Sequence, residues 1–170
     1  MGSPARSATP ALSLAIRSGV AHEVHSFDPR SIDPGIAAKG YGEQAAEALG
    51  IEASSVFKTL LVEVDGHPVC AVIPVTTSLS LKALAHAHGG KRASMMDPAR
   101  AQRLTGYVVG GISPLGQRTA SPTYLDDSAL SLSRVYISAG RRGWEISLSP
   151  TDLITLTQGT VAALGEPTRR

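Results

Sequence analysis

The stretch Ser54 to Val75 constrains the fold more than any other part of the chain. Two apolar runs flank Asp65-Gly66, a dipeptide that favours the left-handed turn of a tight hairpin, so two antiparallel strands are predicted at the centre of a sheet. Side chains alternate along a strand, which places Val56, Lys58, Leu60, Val62 and Val64 on one face. That face is aliphatic except at Lys58. An unpartnered ammonium is costly to remove from water, and an apolar setting lowers its pKa. A lysine is tolerated there at a strand end or in a site that uses it, which makes Lys58 the first functional candidate.

The rest of the chain alternates helix and strand signals without a regular βαβ period or an internal repeat. Thr9-Pro10 reads as a cap and first-turn proline of a helix that stops at Gly19, and His22 to Phe27 as a short strand. A loop with Pro29, Pro34, Gly35 and Gly40 follows. Helices are predicted over Tyr41 to Leu49, from Ser80 to His88, from Asp97-Pro98 to Leu104, and from Pro150 onward. Strands are predicted to resume at Tyr107, and Arg134 to Ser138 with Trp144 to Leu148 to form a second hairpin around Ala139-Gly140-Arg141-Arg142-Gly143. The expectation is an α+β fold: a single domain over residues 9–166 after a flexible N-terminus at 1–8, with a curved, mixed, barrel-like β-sheet flanked by helices.

Composition removes several function classes. Cys70 is the only cysteine, lies in an apolar run and reads as a core residue, which suits a reducing compartment. The first nine residues carry no apolar leader segment and no stretch approaches a membrane span, so a cytoplasmic location without membrane contact is expected. The histidines and carboxylates do not assemble a metal shell by spacing, and the common serine-hydrolase, phosphate-loop and dinucleotide motifs are missing. Neither a metal nor an organic cofactor is called for. The net charge of +2 is mildly basic. Its clusters at Lys91-Arg92, Arg100 with Arg103, Arg118 and Arg141-Arg142 read equally as contacts to a polyanion or as solvated turn charges.

A second unusual segment runs from Gly106 to Gly116. Its glycines permit close backbone approach, so it can present amides to an ester carbonyl or phosphate, or simply connect strands. Ser138, at a strand end before two arginines, fits either a substrate contact or an ordinary hairpin. Tyr41, Tyr107, Tyr124 and Trp144 could stack on a base, but aromatics make up only 4% of the chain, too few for an extended single-strand surface.

Taken in order, Val56-Phe57-Lys58-Thr59-Leu60, Gly106 to Gly116 and Val135-Tyr136-Ile137-Ser138-Ala139-Gly140-Arg141-Arg142-Gly143 resemble the YbaK/EbsC family of aminoacyl-tRNA deacylases, over roughly Val20 to Leu164. Members are similar to the editing domain of bacterial prolyl-tRNA synthetases and act in trans on mischarged tRNA. The segment Gly110-Gly111-Ile112-Ser113-Pro114-Leu115-Gly116-Gln117 looks like the branch that removes cysteine from proline tRNA. The resemblance implies Lys58 as the essential lysine, Thr59 as its neighbour, Gly110 as the glycine of the reactive pocket, and Ser138 as the strand-end serine. Phe27 and Tyr41 match aromatic pocket positions, and Gly111, Ile112 and Ser113 complete the substrate-binding loop. Glu145 falls where close relatives often carry aspartate, and Asp28 to Gly40 is longer than in those relatives. Arg118, Arg141 and Arg142 are expected to meet tRNA.

The motifs supply no obvious protein nucleophile with a paired base. The resemblance implies substrate-assisted cleavage, in which the cysteine thiol attacks its own ester and leaves as a cyclic thioester. The implied partners are the acceptor end of aminoacyl-tRNA and prolyl-tRNA synthetase. Three competing readings are a noncatalytic tRNA- or synthetase-binding module, a deacylase for another small amino acid such as alanine, and a Schiff-base enzyme using Lys58.

Overall fold

A computed structural model describes residues 8–31 and 40–168. The predicted hairpin is present: β2 (Phe57–Val64) pairs antiparallel with β3 (His67–Pro74). Asp65 and Gly66 form its turn with φ of 50° and 84°, the conformation that the Asp-Gly pair favours. The Asp65 carboxylate also accepts the Lys91 and Arg92 backbone N–H groups at 2.9 Å, which ties the turn to β5 (Ala93–Met95).

The hairpin is central in a five-stranded mixed sheet of order β5-β2-β3-β6-β9, where β6 is Thr123–Asp126 and β9 is Thr160–Ala162. β3, β6 and β9 run parallel; β5 and β2 run antiparallel to their neighbours. Both faces of the sheet are covered, which is why the sequence of β2 and β3 is nearly continuous in apolar residues. Phe57 and Leu61 join one core with Ile137, Ile146 and Leu148, while Leu60, Val62 and Val64 join a second with Ile73, Leu84 and Leu164. Lys58 lies opposite Ile73 on that second face, at the start of the strand.

A three-stranded antiparallel sheet of order β1-β8-β7 is built from β1 (His22–Ser26), β7 (Val135–Arg141) and β8 (Trp144–Leu148). Val135, Ile137, Ala139, Ile146 and Leu148 enter the first core, so Tyr136, Ser138, Glu145 and Ser147 point the other way. The two sheets meet at a parallel bridge between Val56 and Tyr136. A third, two-stranded sheet pairs β4 (Thr77–Leu79) with β10 (Gly165–Pro167).

The helices follow their caps. α1 (Pro10–Ser18) begins where the Thr9 hydroxyl accepts the Leu12 N–H and ends at Gly19 in the left-handed conformation. The same hydroxyl donates to the Ala139 carbonyl, fastening α1 to β7. α2 (Tyr41–Leu49) closes at left-handed Gly50. α3 (Leu81–His88), α4 (Pro98–Thr105) and α5 (Pro150–Thr157) are capped by Ser80, Asp97 and Ser149.

The single α+β domain with a mixed sheet matches the sequence expectation, with three corrections. The strands divide among three sheets and do not close into a barrel. Strands do not resume at Tyr107; the next is β6, at Thr123. The Tyr107 hydroxyl donates to the Leu115 carbonyl at 2.7 Å and Thr105 Oγ1 accepts the Tyr107 N–H, folding this segment on itself around a buried ring. Finally, β7 continues past Ser138 to Arg141 through a register irregularity. Of the loop expected at Pro29 to Gly40, Pro29–Ser31 form a 3₁₀ turn and residues 32–39 lie outside the described residues. The expected flexible segment at 1–8 also falls outside them, apart from residue 8.

Gly42 lets α2 lie against the end of β3: an added Cβ would collide with Val75 Cγ1. Gly42→Ala should therefore lower stability in urea unfolding, because overpacking costs about 1–3 kcal/mol and the helix-propensity gain is about 1 kcal/mol. Adding Val75→Ala should make the two substitutions less harmful together than their sum.

Candidate active site

β5 pairs with Val62, Glu63 and Val64, so among the described residues the first half of β2 has no strand on that edge. A cavity of about 320 Å³ occupies the gap, at the lower end of the range for small-molecule sites. This opening explains why Lys58 and Thr59, neighbours on alternate faces, both reach one cavity. Tyr41 and Glu43 enter from α2, Ser138 and Glu145 from the three-stranded sheet, and Val109, Gly110 and Ile112 from the glycine-rich loop. Met95, Met96, Pro98 and Ala101 complete an apolar side.

Burial acts on the cavity's charged groups, partly at Lys58 and almost completely at Glu145. Burial lowers the Lys58 pKa from the ordinary lysine value, and the negative charge of Glu43 opposes that shift. Glu145 is 8% exposed, and burial pushes its carboxyl up to about 8. Its Oε2 and the Thr59 Oγ1 have no hydrogen-bond partner among the described residues. Two buried polar atoms without a partner at one cavity, a hydroxyl and a carboxyl oxygen, mark a place for a ligand's polar groups. Ser138 lies opposite Glu145 in the β7–β8 register, and its hydroxyl accepts the Gly140 N–H at 3.1 Å.

Gly110 has φ of 91°, and an added Cβ would stand 2.7 Å from Tyr41 Cε2 and 2.8 Å from Arg142 Nε. Glycine is required there by both conformation and space. The loop is held by Val109, whose N–H donates to Gln102 Oε1 at 2.9 Å and whose carbonyl accepts from Arg142 Nε at 3.0 Å.

The structure thus brings Lys58, Gly110, Tyr41, Thr59, Ile112, Ser138 and Glu145 to one cavity, and leaves three expected residues off its lining. Ser113 is fully buried, with its hydroxyl accepting the Leu115 N–H in a local turn. Gly111 is packed against the backbone of Arg141 and Arg142. Phe27 extends β1, its N–H donating to the Gly143 carbonyl at 2.8 Å, and does not line the cavity. The arginines are elsewhere too. Arg141 and Arg142 border a separate groove of about 560 Å³ behind the glycine loop with Tyr107 and Val108, and exposed Arg118 stands beside Gly106 at its edge.

Glu43 and the Met95-Met96 pair were not anticipated. Glu43 carried a detectable signal, an acidic residue two positions after Tyr41 in the first turn of a predicted helix. The methionines reach the cavity because β5 ends there, which no local pattern announces. The acidic and imidazole groups do not gather elsewhere: among the described residues there is no cluster of three or more metal-ligating side chains, and no helix long and apolar enough to cross a membrane. Cys70 is buried in the core, its thiol pushed up to about 12 by burial.

Comparison with known proteins is consistent with this geometry. Residues 37–156 match the aminoacyl-tRNA editing domain, and the chain belongs to that family. It is 43% identical over 123 residues to EbsC of Enterococcus faecalis, a protein named as a candidate Cys-tRNA(Pro)/Cys-tRNA(Cys) deacylase, covering 72% of this chain and 75% of that one. A proline–tRNA ligase of Shouchella clausii is 28% identical over 138 residues, covering 75% of this chain but only 24% of the ligase. A crystal structure described as a candidate trans-editing enzyme for prolyl-tRNA synthetase shares the fold, with a TM-score of 0.80 at 23% identity over 98% of this chain and 99% of the other.

Glu145 gives the site a stability signature. Its folded-state pKa is raised, so the folded protein keeps a proton that the unfolded chain releases, and stability falls as pH rises from the ordinary carboxyl value toward about 8. One such proton corresponds to a slope of about 1.4 kcal/mol per pH unit. Urea unfolding at pH 5 to 8 should show that decline, and Glu145→Gln should flatten it.

Proposed function

We propose that this protein hydrolyses mischarged aminoacyl-tRNA in trans, with cysteine on proline tRNA as its substrate, through the domain spanning residues 9–166. The observation that carries the reading is the cavity itself: a partly buried lysine and a left-handed glycine backbone line the same small pocket in a member of the editing family. The organisation of the wall argues for a substrate-supplied nucleophile. Among the described residues no histidine or cysteine lines it. Its serine hydroxyl accepts from Gly140, with no carboxylate or imidazole hydrogen-bonded to it among the described residues, and burial raises the nearby Glu145 carboxyl to about 8.

In this scheme the substrate's thiol sulfur attacks its own ester carbonyl. A C–S bond forms, the ester C–O bond breaks, and the thiol proton passes to the departing ribose oxygen of the tRNA. The product is a cyclic thioester, which water then opens to free cysteine. Holding the thiol against the carbonyl supplies much of the rate as effective concentration. Lys58 holds the terminal nucleotide or polarises the carbonyl, and the Gly110 backbone contacts the reacting group. Thr59, Ser138 and Glu145 offer polar contacts to the amino acid, and Tyr41 and Ile112 close the pocket around it. Arg118 and Arg141, on the groove behind the loop, approach backbone phosphates. The reaction belongs in the cytoplasm, beside prolyl-tRNA synthetase.

Release of amino acid from proline tRNA charged separately with cysteine, alanine and proline tests this reading. Rapid loss of cysteine alone is expected, and Lys58→Ala should slow it by about 100-fold or more, the scale of losing one electrostatic contact to the transition state. Equal loss of alanine would exclude thiol assistance, and loss of none would leave a binding module.

A further inference from the structure

Arg142 sits in the turn of the β7–β8 hairpin, where a basic side chain invites assignment to tRNA phosphate. Its contacts in the free protein point elsewhere. The guanidinium carbon lies 4.7 Å from the centre of the Tyr41 ring, a cation–π contact, while Nε donates to the Val109 carbonyl at 3.0 Å. One side chain therefore joins three segments far apart in sequence: the first turn of α2, the glycine loop and the hairpin. Gly110 lies between these contacts, within the space of a missing Cβ from both the ring and the guanidinium. Arg141, its neighbour, turns away and lies over Trp144 at 5.1 Å.

We propose that Arg142 is a positioning residue for the deacylation: it clamps Tyr41 to Val109 and thereby fixes the Gly110 backbone at the mouth of the cavity. The inference rests on the deacylase reading for its consequence in catalysis, but the clamp itself is a property of the free protein. Only arginine suits the role, because it combines a planar face for the ring with an in-plane N–H for the carbonyl. A lysine keeps the charge and loses both. Gln102 anchors Val109 from the other side through its N–H, so releasing Arg142 frees the loop on one side while leaving it tethered on the other.

The test compares wild type with Arg142→Ala and Arg142→Lys in two measurements. The first is amide hydrogen exchange of Val109 and Gly111 in the free protein, whose N–H groups bond Gln102 and the Val108 carbonyl. The second is single-turnover release of cysteine from Cys-tRNA(Pro), with the dissociation constant measured across salt concentrations. The clamp predicts faster exchange in both variants. It also predicts a rate at saturating tRNA about tenfold to a hundredfold lower in both, as expected for a misplaced reacting group, with an unchanged salt slope. A phosphate ligand would instead give weaker binding, a salt slope shallower by about one, an unchanged saturated rate and substantial rescue by lysine. That pattern, or unaltered exchange, overturns the proposal. If wild-type protein releases no amino acid, the deacylase reading fails, and the exchange measurement alone decides the clamp.

Discussion

Two sheets meet at a single bridge between Val56 and Tyr136, and the candidate site exists because their edges part just beyond it. The remaining edge of β2 is covered by β5 only at its far end. Phe57 and Leu61 still reach the shared core, so the junction is stable, but the gap between sheets is filled by side chains and a loop. The walls of the cavity come from elements packed for other reasons: strands of both sheets, a helix lying on Val75, and a loop tied at Val109. Such support suits a site that works by holding its substrate in place.

The electrostatics of the cavity follow from the same geometry. Burial acts on Lys58 and Glu145 in opposite directions on the pKa scale and in the same direction chemically, favouring the neutral form of each. Glu43 counteracts this at Lys58. Burial consequently favours the protonated, hydrogen-bond-donating form of the carboxyl beside Ser138, whereas the lysine keeps a nearby carboxylate that favours its charged form. What remains is a pocket that binds and polarises, whose serine has no base hydrogen-bonded to it among the described residues.

Much of the architecture was legible because it is set locally. Thr9-Pro10, Ser80, Asp97-Pro98 and the glycines after the helices each act within a turn, and the helices start and stop there. Asp65-Gly66 likewise sets its hairpin without distant help. Four of the strands have only three residues each, β4, β5, β9 and β10, and owe their conformation to partners far along the chain, so periodicity could not reveal them. The segment after Tyr107 looked strand-like because Tyr107, Val108 and Val109 favour extended structure, yet the tyrosine is spent on Leu115 and the chain folds over its own ring. At the site, Lys58 announced itself as a charge on an apolar face. Ser113 carried an equal motif signal, but its hydroxyl is consumed by the Leu115 amide and it never reaches the cavity. The Arg142–Tyr41 contact spans α2 and the β7–β8 hairpin and has no local signature at all.

The central claim is that the substrate supplies the nucleophile and the protein supplies the geometry. Single-turnover cleavage of proline tRNA charged with cysteine, set against the same tRNA charged with S-methylcysteine, tests it most directly, because the second ester keeps the sulfur and lacks the free thiol. The account predicts that the methylated ester binds and is not released above the rate without protein. Release of S-methylcysteine at the rate seen for cysteine would contradict it and require a nucleophile from the protein or from water.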